Sequence, residues 1–197
     1  MDEAIDLENG KPLEIEWVSG ASGGIIEEVN PKTRTLIGQV DEFQADVANV
    51  IPPQQAGAIA RSAGLTDDSG WCPVDQKTFE SSIHKDVYVI GDACIAGKMP
   101  KSGYAANSQG KVCAAALVAA LNGEEAPSTS YVNTCYSIIA PKYGISVAAV
   151  YELVDGEITP VKGAGGLSPA DASERVRALE VEYAKGWFKN ITADMFG

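Results

Sequence analysis

The chain has 197 residues, 45% hydrophobic and 21% charged, the composition of a globular protein with room for one large domain or two small ones. Its 27 acidic residues against 15 basic ones leave a formal net charge of −12, which argues against nucleic acid or an anionic membrane surface and suits docking to a basic protein. No apolar run approaches a membrane span, the acidic start Met1-Asp2-Glu3 is unlike a signal peptide, and four cysteines without a Cys-x-x-Cys pair, beside the single His84, offer no metal site.

Residues 1–10 are polar and expected to fray, and 13–18 alternate with period two, as a half-buried strand does. A Gly- and Ser-rich loop over 19–24 leads to a strand over 25–29 and a turn at Asn30-Pro31-Lys32-Thr33. Two more strands are predicted over 35–38 and 44–51, the second stopped by Pro52-Pro53. The result is a β-meander without a helix, expected to be the end of something larger. A short helix follows over 54–63, then a loop over 64–75 and a short strand or turn over 78–83.

The run Val87-Tyr88-Val89-Ile90-Gly91-Asp92-Ala93 reads as a parallel strand buried on both faces and ending in a tight turn. Gly91 permits the sharp turn and a close ligand approach, and Asp92 then stands at the carboxyl end of the strand, where open α/β sheets bind ligands. Taken alone, Gly91-Asp92-Ala93 is equally an ordinary strand-to-loop turn with a capping aspartate. An alanine-rich helix opening at Lys101-Ser102-Gly103 runs to about 121 and stops at Asn122-Gly123. Its start offers free N–H groups and a positive dipole end to an electron-rich ligand. Cys113 on this helix reads as a small buried hydrophobe.

A Pro-containing linker over 124–129 precedes two strands over 131–139 and 144–151, predicted to pair antiparallel. Asp155-Gly156 turns the chain into a strand over 157–161, and 163–166 is expected to be flexible. Ser168-Pro169 is expected to open the last helix, whose apolar face is Val176, Leu179, Tyr183 and Trp187.

Several collinear stretches resemble the flavoprotein subunit of flavocytochrome c sulfide dehydrogenase. They are Asn49-Val50-Ile51-Pro52-Pro53-Gln54, Ser69-Gly70-Trp71-Cys72-Pro73-Val74-Asp75, Val89 to Gly97, Met99-Pro100-Lys101-Ser102-Gly103-Tyr104, Asn107-Ser108-Gln109-Gly110-Lys111, Asn133-Thr134-Cys135-Tyr136-Ser137 and Tyr143 to Tyr151. The resemblance runs from about 13 to 197. It implies an α/β fold with an α+β C-terminal domain, a partial form of the two-dinucleotide-domain FAD/NAD(P)-binding fold. Residues 1–51 then correspond to the end of an inserted NADH-domain-like meander, 52–123 to the returning half of the FAD domain, and 128–197 to the domain on the flavin and cytochrome side. The family's Gly-x-Gly-x-x-Gly turn is not in the sequence. The resemblance therefore implies that the N-terminal half is missing, with the cysteine that tethers FAD and one partner of a redox cystine.

That family oxidises sulfide at FAD and passes electrons to a c-type cytochrome subunit in the periplasm. The resemblance gives Cys135 the place of the second cystine sulfur and Trp187 that of an aromatic beside the flavin. It places Gly91, Asp92 and Ala93 at the ribityl or phosphate side and Lys101, Ser102 and Gly103 near the isoalloxazine carbonyls. Lys98, Lys101 and the helix start are the expected neighbours of Cys135, while Cys72 and Cys94 receive no redox role. The residues alone read Cys135 as a buried strand cysteine and Trp187 as a core residue of the last helix. By this reading FAD is held weakly or not at all by the chain alone, sulfide oxidation is absent, and self-association is expected. The competing reading is a flavin-free binding or oligomerisation module. A quinone-linked relative is disfavoured, since the tail 189–197 is too short and polar for a membrane-binding helix.

Overall fold

The computed structural model describes residues 16–197. The expectations for 1–10 and for 13–15 lie outside the described residues, and 16–18 are not in a strand. The chain divides into two units, Met1–Pro53 and Gln54–Gly197.

The described part of the first unit is an antiparallel meander of β1 (Ile26–Asn30), β2 (Thr35–Gly38) and β3 (Glu42–Gln44), preceded by a 3-10 turn at Gly20–Ser22. The turn after β1 forms because the Asn30 carboxamide oxygen accepts from the backbone N–H groups of Lys32 and Thr33 at 3.1 and 3.3 Å. The strand expected over 44–51 is corrected to the short β3. Its partner β2 ends the ladder at Thr35↔Gln44, and Val47, 86% exposed, has no face to bury.

In the second unit a short helix, α1 (Ala58–Ser62), precedes a long stretch of loops and isolated bridges. Then come α2 (Gly103–Leu121), the hairpin strands β4 (Tyr131–Ala140) and β5 (Tyr143–Val154), β6 (Glu157–Leu167) and α3 (Glu174–Phe196). Strands β4, β5 and β6 form a second antiparallel sheet in that order. The linker over 124–129 joins α2 to β4 within this unit. Among the described residues no helix is long and apolar enough to cross a membrane.

The core lies where α2 and the loop stretch meet β4, β5 and β6. Phe79 and Tyr131, both fully buried, meet edge to face with ring centroids 6.1 Å apart, and Tyr151, Ile158, Met99 and Val112 fill in around them. The Tyr131 hydroxyl donates to the Gln76 carbonyl at 2.8 Å, and the Gln76 side-chain oxygen accepts from the Ile158 N–H at 2.7 Å. The loop stretch is thereby stitched to two strands of the sheet.

Three expectations for this unit need correction. The run from Val87 to Ile90 is not a parallel strand covered on both faces: it is extended, bridges Glu80 through Tyr88 in antiparallel sense, and leaves Val87 and Ile90 37% and 42% exposed. A short apolar run cannot by itself distinguish a sheet interior from an edge segment. The mixed α/β class stands, but both three-stranded sheets are antiparallel.

Residues 163–166 are not a loose connection. They belong to β6: Gly165 and Gly166 pair with Ala149 and Ala148 of β5, while 163 and 164 lie in the irregularity of the register between Ala149 and Tyr151.

The last helix does not begin at Ser168-Pro169. Ser173 caps it, accepting from the Val176 N–H at 3.4 Å, while the Ser168 hydroxyl is drawn to β5 and α3, bonding the Ser146 N–H at 2.7 Å and Glu180 at 2.9 Å. The buried face of α3 is Arg177, Val181, Ala184 and Ile191, roughly one residue around from the predicted stripe, and Tyr183 is 56% exposed.

The rotation of α3 is set at Gly144. A side chain there would come within 2.8 Å of the Val181 backbone nitrogen and 2.9 Å of the Glu180 side chain, so the helix packs directly on bare β5 backbone. Gly144→Ala should cost about 1–3 kcal/mol of unfolding free energy in urea titrations, because backbone has to move to admit a methyl group. Gly186→Ala, where nothing lies within 4 Å, should stabilise the chain by about 0.5–1 kcal/mol.

Candidate functional site

The start of α2 is built by Ser102. Its extended backbone, φ −156° and ψ 158°, leaves the helix, and its hydroxyl accepts from the Ala105 N–H at 3.1 Å. The same hydroxyl donates to the Asn133 carboxamide oxygen at 2.5 Å. Asn133 is buried in β4, and its amide nitrogen lies 3.4 Å from the sulfur of Cys135, two residues along the same face of the strand. Ser102 and Cys135, 33 positions apart by number, are thus joined through one carboxamide.

Lys101 serves a different group. Its ammonium donates to the carbonyls of Asp92 at 2.5 Å and Cys94 at 3.0 Å, and it rests 3.7 Å from the centroid of the Trp71 ring. These bonds hold the 3-10 turn Gly91–Ala93. Gly91 has φ +73°, a value that favours glycine, and its N–H donates to the side-chain oxygen of buried Gln109 at 2.7 Å. The Asp92 side chain is exposed while its carbonyl is taken by Lys101.

Lys98 pairs with Glu157 at 3.7 Å. The expected basic surroundings of Cys135 are corrected accordingly: the lysines are engaged elsewhere, and the polar neighbour of the sulfur is Asn133.

Trp71 and Lys101 border two grooves. One, of about 300 Å³, runs between Gln55, Gly57, Asp92 and Ala93; the other, of about 150 Å³, runs past Gly91, Cys94, Met99 and Gln109. Cys94 lines the smaller groove, where burial pushes its thiol up to about 11 against the opposing pull of the Lys101 charge. Cys72 is bridged to Cys94 in parallel sense, and all four cysteines are free thiols.

Trp187 stands in a separate aromatic cluster. It stacks on Tyr104 with centroids 5.9 Å apart and planes 8° from parallel, and it leans on Tyr136 at 6.0 Å. The three rings border a groove of about 570 Å³ between α2, β4 and α3. The Lys111–Asp194 ion pair, at 2.6 Å, lines the same groove, and the lysine holds the Asp194 carboxyl below its ordinary range. Burial raises the Tyr136 phenol, with Tyr104 and Glu180 adding to it.

Of the residues predicted from sequence, Gly91, Asp92, Ala93 and Lys101 converge on one turn. Ser102 and Cys135 share Asn133, and Gly103 leads straight into Tyr104 of the aromatic cluster. Asn133, Gln109, Trp71, Tyr104 and Tyr136 were not singled out. A signal existed for two of them. Asn133 sits at strand spacing from Cys135, and Gln109 interrupts the small apolar face Ala105, Val112, Ala116 and Ala119 of α2.

Residues 127–196 match the protein family described as flavocytochrome c sulphide dehydrogenase, flavin-binding. The matched segment runs from the end of the linker through β4, β5, β6 and α3. It agrees with the resemblance to the C-terminal part of the flavoprotein subunit and makes a flavin the cofactor class to test.

The residues at the Gly91–Ala93 turn fit such a group in part. They offer an exposed carboxylate at Asp92, a main-chain turn pinned from behind by Lys101 and Gln109, and an indole bordering grooves on two sides. A carboxylate suits hydroxyl-bearing ligand chains, and a planar ring system suits an indole.

Cys135 is expected to be alkylated faster than Cys113, whose thiol is raised by burial, and much faster than Cys94, which presents little thiolate until the pH nears 11. Cysteine-resolved mass spectrometry after a brief pulse of iodoacetamide reads the order; Cys113 leading Cys135 would remove the sulfur from the candidate site. Ser102→Ala should cost about 1–2 kcal/mol through the lost cap. Combined with Asn133→Ala in a double-mutant cycle, it should show a coupling of about 1 kcal/mol, whereas strict additivity would mean that the two groups do not interact.

Proposed function

We propose that this chain forms one side of an FAD site at which sulfide is oxidised and from which electrons pass to a c-type cytochrome in the periplasm. The observation that carries the reading is the linkage Ser102–Asn133–Cys135, which ties the start of α2 to a segment, residues 127–196, matched to a flavin-binding family. FAD, when bound, supplies the two-electron acceptor. The chain's own contribution is positional: Asp92 holds hydroxyls of the ribityl chain, the N-terminus of α2 faces the electron-rich end of the ring, and Asn133 orients the sulfur of Cys135.

Sulfide attack requires a disulfide, and Cys135 is a free thiol, so this reading takes the second sulfur from a partner polypeptide. Trp187, stacked on Tyr104, lines the side on which the cytochrome is placed by this reading. Exposed Ile138, Ile139 and Leu167 support a second reading as a docking or self-associating module, and the two readings differ in whether flavin binds.

Titration of the full chain with FAD, followed by flavin fluorescence, should give saturable, non-covalent binding that weakens several-fold in Asp92→Ala and is released by acid precipitation. Flavin that stays with the precipitate, or no saturation at all, goes against the proposal; the second outcome combined with a concentration-dependent mass in light scattering favours the docking module. Sulfide-dependent reduction of cytochrome c by this chain alone should be absent, and its appearance would show that Cys135 needs no second sulfur.

A further inference from the structure

Arg177 is the most deeply buried charge among the described residues, 5% exposed on the inner face of α3. One of its terminal nitrogens donates to the carbonyls of Pro169 and Ala170 at 2.6 and 3.2 Å. The other, Nη1, is buried with no hydrogen-bond partner among the described residues, and none of their carboxylates forms an ion pair with the guanidinium. Burying a guanidinium without a counter-charge is costly, and an unpaired buried donor calls for something that accepts from it.

Arg177 lines a cavity of about 700 Å³ between the β4–β5 turn and the first turns of α3. The other polar members of its wall are Lys142, Tyr143, Glu174 and Arg175, three cations in all against one carboxylate in a chain of net charge −12. Ala140, Ala172 and Ala178 supply apolar wall, and the Tyr143 ring lies 5.1 Å from the guanidinium carbon. The first turn of α3 adds the positive end of a 23-residue helix.

We infer that this cavity is a binding site for a small organic oxyanion, a carboxylate or phosphate ester carried on an aromatic or apolar body, with Arg177 Nη1 as its buried donor. Lys142 and Arg175 flank the entrance as exposed cations that draw the anion in. The body of the ligand packs on the alanines and on Tyr143. Since Nη1 is closed to solvent, a neighbouring side chain has to move for the anion to reach it, and we assign that movement to the half-exposed Tyr143 ring, whose centroid lies 5.1 Å from the guanidinium carbon; exposed side chains change rotamer within nanoseconds. The site is separate from the one that holds Cys135. Ala140, at the cavity, is five residues along β4 from that sulfur, about 17 Å at the rise of an extended strand.

The test uses the full chain with benzoate and phenyl phosphate as the two arms and inorganic phosphate as the control, followed by calorimetry and by amide NMR shifts at Lys142, Tyr143 and Ala172. Saturable binding of one aromatic anion is expected, and the arm that binds identifies the head group. Arg177→Met should weaken it at least tenfold and abolish the rise in Tm that the ligand produces.

Binding unchanged in Arg177→Met, shifts that map elsewhere, or no binding of either aromatic anion would overturn the inference. So would inorganic phosphate binding as tightly as phenyl phosphate. Should Arg177→Met fail to fold, the doubly exposed variant Lys142→Ala/Arg175→Ala decides: a several-fold loss with a flatter salt dependence supports the site, and unchanged affinity removes it.

Discussion

The hydroxyl of Ser102 occupies the point at which the second unit is held together. It stops α2 at a defined residue by satisfying the Ala105 N–H, and it reaches across to a buried carboxamide on β4. Neither end could be changed alone. An apolar residue at 102 would leave an open donor in the first turn of α2 and a buried oxygen on Asn133, and both costs fall in the low-dielectric region where unpaired polar groups matter most. The place of the Cys135 sulfur relative to the helix start follows from this one contact, because Asn133 and Cys135 share a face of the same strand.

A second constraint acts from the opposite direction on the Gly91–Ala93 turn. Gln109 holds its first N–H from the buried face of α2, and Lys101 holds its carbonyls from the residue before the helix cap. The same helix therefore determines the position of the turn and, through Ser102, of β4. A lysine just ahead of a helix start opposes the helix dipole, and the opposition is relieved here because the ammonium is spent on two carbonyls and an indole face rather than left beside the free N–H groups.

The far side of the sheet is organised by a different economy of atoms. Bare backbone at Gly144 lets α3 sit directly on β5, and this closeness rotates the helix so that Arg177 rather than Val176 turns inward. The aromatic stripe is displaced with it: Tyr183 is left to solvent while Trp187 finds Tyr104 and Tyr136. A buried, incompletely satisfied guanidinium is thus a consequence of how the helix was seated, and a fold that retains such a group is carrying a cost that a ligand can offset.

Much of this was legible in the residues themselves. The boundaries of α2 follow from a serine cap and from Asn122-Gly123, whose glycine takes φ +71°, and the β4–β5 hairpin follows from two apolar runs separated by a short polar turn. The resemblance to a flavoprotein family was carried by short motifs spread from Asn49 to Tyr151, of which those around Cys135 and Tyr143 fall within the family match. Local chemistry could not tell whether the run from Val87 to Ile90 had neighbours on both sides, since burial is conferred by other parts of the chain. It could not show that Ser168 would fail to open α3 either, because Ser168 is claimed by Ser146 and Glu180, 22 and 12 residues away. Caps, turns and periodicity are short-range properties written within a few residues of where they act. The seating of α3, the partner of Cys135 and the open valence of Arg177 depend on which surfaces meet, and that was decided only when β4, β5 and the two long helices packed together.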